Sequence, residues 1–171
     1  MGFLLMLALT LTPACLSSPP TLSPHPSSRS AFRLAAVGFG WPVQDARVVR
    51  RFDPPPRPWL AGHRGVDLSG SPGAAIRAAG AGTIVYAGDV AGRGVVSVSH
   101  SGGLRTTYEP VVVQGLSVGE SVAAGQEIGR LTDGHPGCPE AACLHWGLRR
   151  AGDYLDPLVL LGLGRVRLLP L

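Results

Sequence analysis

An all-β fold is the class that this 171-residue sequence predicts, and three observations carry the expectation. Glycine occurs 24 times and proline 16 times. Glycine in a helix interior costs backbone entropy, and proline removes an amide donor and clashes with the preceding turn, so a helical bundle does not fit. Short runs enriched in β-branched residues alternate in polarity and recur roughly every ten residues with glycine between them, the rhythm of a sandwich or barrel. Helical periodicity is weak throughout. A hydrophobic content of 45% against 15% charged residues is enough for a buried core, in one domain with modest attachments.

In chain order the expected strands are 83–87 (TIVYA), 95–100 (VVSVSH), 104–108 (LRTTY), 110–113 (PVVV), Glu127–Leu131 (EIGRL) and 144–148 (LHWGL). The apolar close at 154–163 reads equally as a short helix or a last strand. Trp41 and Trp59 precede these runs in Pro-rich sequence and are expected to pack on the barrel edge, with sugar stacking as the other use of an indole.

Residues 3–11 (FLLMLALTL) form an apolar run of signal h-region length, too short to span a bilayer, followed by Thr-Pro-Ala-Cys. Residues 1–15 therefore read as an export signal, without the usual basic n-region. Either the α-amino group supplies that charge or the start lies upstream of Met1. Cys15 is a candidate for lipidation, although Thr12 and Pro13 depart from the usual lipoprotein signal. Residues 16–35 are rich in Ser and Pro, with the isolated His25, and read as a solvated tether. The folded domain is expected over 36–171. Export implies an extracellular or envelope location, and membrane attachment only through the signal or a lipid on Cys15.

All fifteen basic residues are arginine, and the net charge is +4. The missing lysine excludes Schiff-base chemistry, a P-loop and biotinyl or lipoyl attachment, each of which needs an amine. This matters at 117–131 (SVGESVAAGQEIGRL), which resembles the turns of biotinyl and lipoyl carrier domains; the strand architecture survives and the carrier function does not. The positive charge suits anionic partners such as cell-wall polymers or a membrane face, and is too thinly spread for a nucleic-acid footprint. An arginine-biased codon usage explains it equally well.

Three residue sets carry possible chemistry. His63 and Asp67 lie four apart in GHRGVDLSG, on one face of a helix or strand, and Gly65 between them favours the strand. Imidazole and carboxylate are both good zinc donors, but a surface histidine beside a turn aspartate would look the same. His145 alternates with Leu144 and Trp146, which aims its ring at one sheet face. Two histidines and an aspartate would leave a fourth tetrahedral position open, as in catalytic zinc sites. A structural zinc would need a fourth protein ligand, which only a reduced Cys143 could supply. Cys138 and Cys143 lie in GHPGCPEAAC, and in an exported protein such a pair is expected to be bonded, with a free thiolate near a metal as the alternative. Arg149 and Arg150 follow the His145 strand; Arg149 is a candidate for a substrate carboxylate, or simply a solvated strand end.

The order of His63-Arg64-Gly65-Val66-Asp67, Gly73, Ala78-Ala79-Gly80-Ala81-Gly82-Thr83-Ile84-Val85, Thr107-Tyr108, Gly119-Glu120-Ser121-Val122, Gly125-Gln126-Glu127-Ile128-Gly129 and Leu144-His145-Trp146 resembles the lysostaphin-type (LytM-like) peptidoglycan metallopeptidase family. The resemblance implies a duplicated-hybrid-motif barrel-sandwich with a groove over an antiparallel sheet. It also implies one zinc ion on His63, Asp67 and His145, and cleavage of peptide cross-links in bacterial peptidoglycan. Tyr108 falls in the motif and is a candidate substrate contact. His100 matches a position where histidine is common without binding metal, and reads as structural or as support behind the ligands.

Two departures stand out. Tyr108-Glu109-Pro110-Val111 replaces Tyr-x-His-Leu, and Cys143-Leu144-His145 replaces His-x-His, so both helper histidines are missing. Loss of a general base costs about 10²–10⁴-fold. Glu109 and His135 are the two candidates to replace it. The other reading is a degenerate domain that binds wall peptides or activates another hydrolase.

Overall fold

The computed structural model describes residues 38–164 apart from 58, 114, 134 and 136. The expected signal, the tether with His25, and Cys15 lie outside the described residues.

The fold is all-β and antiparallel, as the glycine-punctuated runs predict. Eleven strands are described: β1 (Val48–Arg50), β2 (Gly65–Gly70), β3 (Ala75–Arg77), β4 (Gly82–Val90), β5 (Arg93–Ser99), β6 (Leu104–Glu109), β7 (Val111–Val112), β8 (Ser121–Val122), β9 (Glu127–Leu131), β10 (Ala142–Arg150) and β11 (Asp153–Leu155). The larger sheet runs β1-β2-β10-β6-β5-β4-β8, with β11 pairing to the end of β10, and a second sheet runs β3-β9-β7.

Strands β4, β5, β6, β9 and β10 coincide with the expected runs, because alternation over five or more residues leaves one face to bury; β2, six residues long, is not among those runs, since its first five residues are all buried and show no alternation. Differences fall where elements are short. β1, β3 and β8 have two or three residues each, too few for a period to register. The 110–113 run shrinks to Val111–Val112, after a cis peptide bond between Glu109 and Pro110. The ambiguous 154–163 segment is part strand, in β11, and part 3₁₀ turn over Pro157–Leu161. Proline at the first position and the Asp156 carboxylate, accepting from the Leu158 amide at 3.0 Å, start that turn.

Strand β10 is the axis of the molecule. Its Leu144, Trp146 and Leu148 are completely buried, while His145 and Arg149 on the opposite face are half-buried. Leu68 of β2, Ile76 of β3, Tyr108 of β6, and Ile128 and Leu131 of β9 join Leu144 and Trp146 in one core, so both sheets share it. Trp59 departs from its expected packing: it is 75% exposed, with the Arg57 guanidinium 5.7 Å from its ring.

Tyr108 is also corrected. It is fully buried, opposite Trp146 across the β6–β10 pair, and cannot touch substrate. Its hydroxyl accepts from the Ala79 amide at 2.9 Å and lies 2.8 Å from Thr106 Oγ1, which lies 2.7 Å from His100 Nε2. The other nitrogen of His100 donates to the Ala81 carbonyl at 2.8 Å. This buried chain ties β6 to the loop before β4, from the face of β6 opposite Glu109. His100 is therefore structural and does not support the ligand histidines.

Burial pushes the Tyr108 phenol up to about 12 and lowers the His100 pKa. The folded state keeps Tyr108 protonated where an unfolded tyrosine ionises, so this contribution is complete below pH ~10 and is lost as pH rises towards the folded value. We expect Tyr108→Phe to cost about 1–3 kcal/mol in urea denaturation at neutral pH, by leaving the Ala79 amide without a partner. The same variant should lose less stability than the wild type between pH 10 and 12. Equal alkaline slopes for the two would contradict the assignment.

Candidate metal centre

Register assembles the site. In the pairing of β10 with its neighbours, His145 stands opposite Asp67 of β2 on one side and opposite Glu109 of β6 on the other. Successive strand residues face opposite ways, so the register that sends Leu144 and Trp146 into the core brings Asp67, His145 and Glu109 to one face in a row. His63 precedes β2 and is fixed by a two-way backbone bridge with Asp53, at 3.0 Å and 2.6 Å. Its ring then reaches Asp67 from the side.

Three donor atoms converge. His63 Nε2 lies 2.9 Å from Asp67 Oδ1, His145 Nδ1 lies 2.9 Å from the same oxygen, and the two nitrogens are 3.1 Å apart. His63 is 4% exposed and Asp67 is fully buried. On the far side of its ring His63 Nδ1 is 2.7 Å from the Arg51 carbonyl, which can only accept. Nδ1 therefore donates to that carbonyl, which turns Nε2 towards the carboxylate and the candidate metal position. Two lone pairs at that separation repel unless a proton or metal cation lies between them.

Asp67 Oδ2 is buried with no hydrogen-bond partner among the described residues, a costly state that a bound cation relieves. Two imidazoles and one carboxylate suit a divalent ion of zinc's character, whose tetrahedral ligands sit about 3.3 Å apart at bond lengths of ~2.0–2.1 Å. The residues fit a metal. Burial works to raise the Asp67 pKa, but the surrounding His135, His145 and His63 imidazoles outweigh it and hold the carboxyl well below the usual range.

Gly65 makes room for this geometry. A Cβ there would fall 2.5 Å from the Trp146 carbonyl and 2.7 Å from His145 Nε2, so the His145 ring lies where any side chain at Gly65 would be.

His135 also reaches the site. Its Nε2 is 2.9 Å from Asp67 Oδ1 but outside hydrogen-bonding geometry, and its ring centroid is 5.8 Å from that of His145. The Cys138–Cys143 disulfide, with Cα atoms 5.7 Å apart, closes the segment that follows His135, the Cys138 amide donates to the His135 carbonyl at 3.2 Å, and Cys143 pairs with Ser69 two residues before His145. Cys143 is bonded and is neither ligand nor base. Glu109 lines the same cavity of about 340 Å³ as His63, His135 and His145, and its carboxylate lies 3.8 Å from the Arg93 guanidinium. Arg149 opens into that cavity too, its guanidinium 4.8 Å from the Tyr154 ring.

Sequence reasoning missed Arg51, whose role is played by a backbone carbonyl and leaves no residue signature. It missed Arg105 because an arginine in an alternating strand reads as a solvated face; the signal available was its two-residue phase with Thr107 and Glu109.

The chain resembles known proteins over most of the described region. It is 53% identical over 138 residues to the uncharacterised protein Rv2891 of Mycobacterium tuberculosis, an alignment covering 78% of this chain and 55% of that one. It is 28% identical over 152 residues to the murein hydrolase activator NlpD of Salmonella typhimurium, covering 87% of this chain and 38% of that protein. The chain thus spans about half the length, or less, of these two relatives. The solution structure of lysostaphin superposes with a TM-score of 0.55 at 26% identity, covering 70% of this chain and 51% of lysostaphin. Residues 61–157, which hold His63, Asp67, Glu109, His135 and His145, match the profile of Peptidase family M23, and the chain belongs to that family.

Proposed function

We propose that the chain is a zinc metalloendopeptidase of the cell envelope that cleaves peptide cross-links or stem peptides of bacterial peptidoglycan. The observation that carries this reading is the convergence of His63 Nε2, Asp67 Oδ1 and His145 Nδ1 within 3.1 Å of one another on the wall of an open cavity. Three protein donors beside open space are the arrangement of a catalytic site, since structural zinc takes four.

His63, Asp67 and His145 would hold the ion, which when bound supplies Lewis-acid polarisation of a peptide carbonyl and a lowered pKa for water. The protein's own residues do the rest. The Arg51 carbonyl fixes the tautomer of His63. The β6–β10 face gives a peptide an extended surface to lie along. His135, three residues before the disulfide, takes the proton of the attacking water at Nε2, the work of the histidine that Cys143 replaces. Glu109, drawn towards Arg93, is the lesser candidate for that task.

A second reading has its own support. Pro110 and Cys143 stand where the resemblance expects helper histidines, and the relative from Salmonella typhimurium is named a murein hydrolase activator. A domain that binds wall peptides and activates another hydrolase would tolerate both changes. The envelope setting is supported by the signal-like 3–11 run and by the disulfide, which persists in oxidising compartments. Among the described residues no helix is long and apolar enough to cross a membrane.

The deciding experiment is mass spectrometry of fragments released from purified peptidoglycan by the zinc-loaded chain, with and without chelator. Chelator-sensitive release of defined peptides is expected, and no release with zinc bound would favour the activator. Among variants, His63→Ala should abolish release. His135→Ala should lower the rate about 10²–10⁴-fold with zinc still bound, and Glu109→Gln should cost far less. Gly65→Ala should weaken zinc binding about 10–100-fold in a chelator competition, because it displaces the His145 ring. An unchanged zinc affinity would contradict that packing argument.

A further inference from the structure

The cavity at the candidate metal centre continues along the β6–β10 pair to a cluster of arginines that the chemistry above does not use. On β10 the residues facing the cavity are His145, Gly147 and Arg149; opposite them on β6 stand Glu109, Thr107 and Arg105. The metal ligand lies at one end of this double row. Two arginines, Arg105 and Arg149, stand at directly opposed positions of the ladder at the other end, four residue steps away, or roughly 13 Å at ~3.3 Å per residue.

Like charges in directly opposed positions destabilise a strand pair. Both arginines are half-buried, so solvent screens them only in part. The Arg105 guanidinium makes no hydrogen bond or ion pair with another described residue. Arg149 Nε is buried without a partner, and its Nη2 reaches only the Gly152 carbonyl, at 3.5 Å. Among the described residues, the one acidic residue lining the cavity is Glu109, at the metal end and beside Arg93.

The Arg149 guanidinium is also held in position. Tyr154, the cross-strand partner of Arg149 in β11, has the Arg149 guanidinium 4.8 Å and the Arg64 guanidinium 5.7 Å from its ring. Stacking against an aromatic face fixes the plane of a guanidinium and leaves its N–H edge available. Gly147 forms the floor between the two ends: a Cβ there would meet nothing closer than 3.7 Å, so the path along the row is open.

We propose that Arg105 and Arg149 form a carboxylate-binding subsite that selects peptide substrates bearing a free carboxylate about four residue steps from the metal ligands. A carboxylate matches the fork of a guanidinium and neutralises the opposed pair. A peptide is the occupant the geometry favours, because the subsite opens into the same cavity as the candidate metal centre. This subsite deepens the peptidase reading and rests on it for the identity of the substrate.

The test uses the zinc-loaded full chain and two probes: a stem tetrapeptide with free carboxylates, and the same tetrapeptide with those carboxylates converted to carboxamides. Binding is read by calorimetry and cleavage by mass spectrometry. The wild type should bind the carboxylate form at least tenfold more tightly. Arg105→Gln combined with Arg149→Gln should reduce the preference to within twofold, with zinc content and circular dichroism unchanged, and Arg105→Lys should retain part of it. Preferential binding with no cleavage would sink the peptidase reading and leave the subsite standing. Cleavage of both peptides without preference, binding of neither, or a preference that survives in the double variant would overturn the subsite.

Discussion

The register between β2, β10 and β6 is the constraint on which the structure depends. Six consecutive cross-strand pairs join Ala142–Gly147 of β10 to Gly70–Gly65 of β2, and a second ladder joins His145–Arg150 to β6. One setting of these ladders buries Leu144, Trp146, Leu68 and Tyr108 on one face and brings Asp67, His145 and Glu109 together on the other. A slip of one residue would put Asp67 and His145 into the core and Trp146 into water. Hydrophobic burial of the core face therefore holds the polar face in place: Trp146 and Tyr108 are too large to leave their pocket, and their strands cannot shift without them.

That arrangement concentrates unfavourable electrostatics at the functional end. A buried carboxylate has one oxygen among three imidazole nitrogens and the other without a partner, and farther along the same face two arginines stand at opposed positions. Neither grouping optimises the chain by itself, and each would be relieved by a ligand of opposite charge, a cation at Asp67 in the proposed function and an anion at Arg105 and Arg149 in the proposed subsite. The disulfide belongs to the same pattern. It occupies a helper position with a sulfur that does no proton chemistry, and it ties down the segment between His135 and β10.

Much of this was legible in the sequence, for identifiable reasons. Strands β6 and β10 are long enough for alternation to reveal them, whereas β2, buried on both faces over Gly65–Ser69, is not, and His145 between Leu144 and Trp146 announces its own direction. The spacing of His63 and Asp67 proposes a shared face, and Gly65 marks the extended backbone and, in the structure, the space beneath the His145 ring. The sequence does not reveal that Tyr108 turns inward, because its phase is set by pairing with Trp146. Nor does it reveal that His135 reaches Asp67, since the irregular segment between β9 and β10 has no period to read. The Arg51 carbonyl is invisible to any motif, and Trp59 misleads because large aromatic residues are more often packed than exposed.

If this register assembles a metal site, its ligands are fixed atom by atom: Nε2 of His63, one oxygen of Asp67 and Nδ1 of His145. The most direct measurement is anomalous X-ray diffraction at the zinc absorption edge from crystals of the zinc-loaded chain. A single anomalous peak bounded by those three atoms is the expected result. A peak elsewhere, or none at full zinc occupancy in solution, would contradict the claim that the β2–β10–β6 register builds a metal centre.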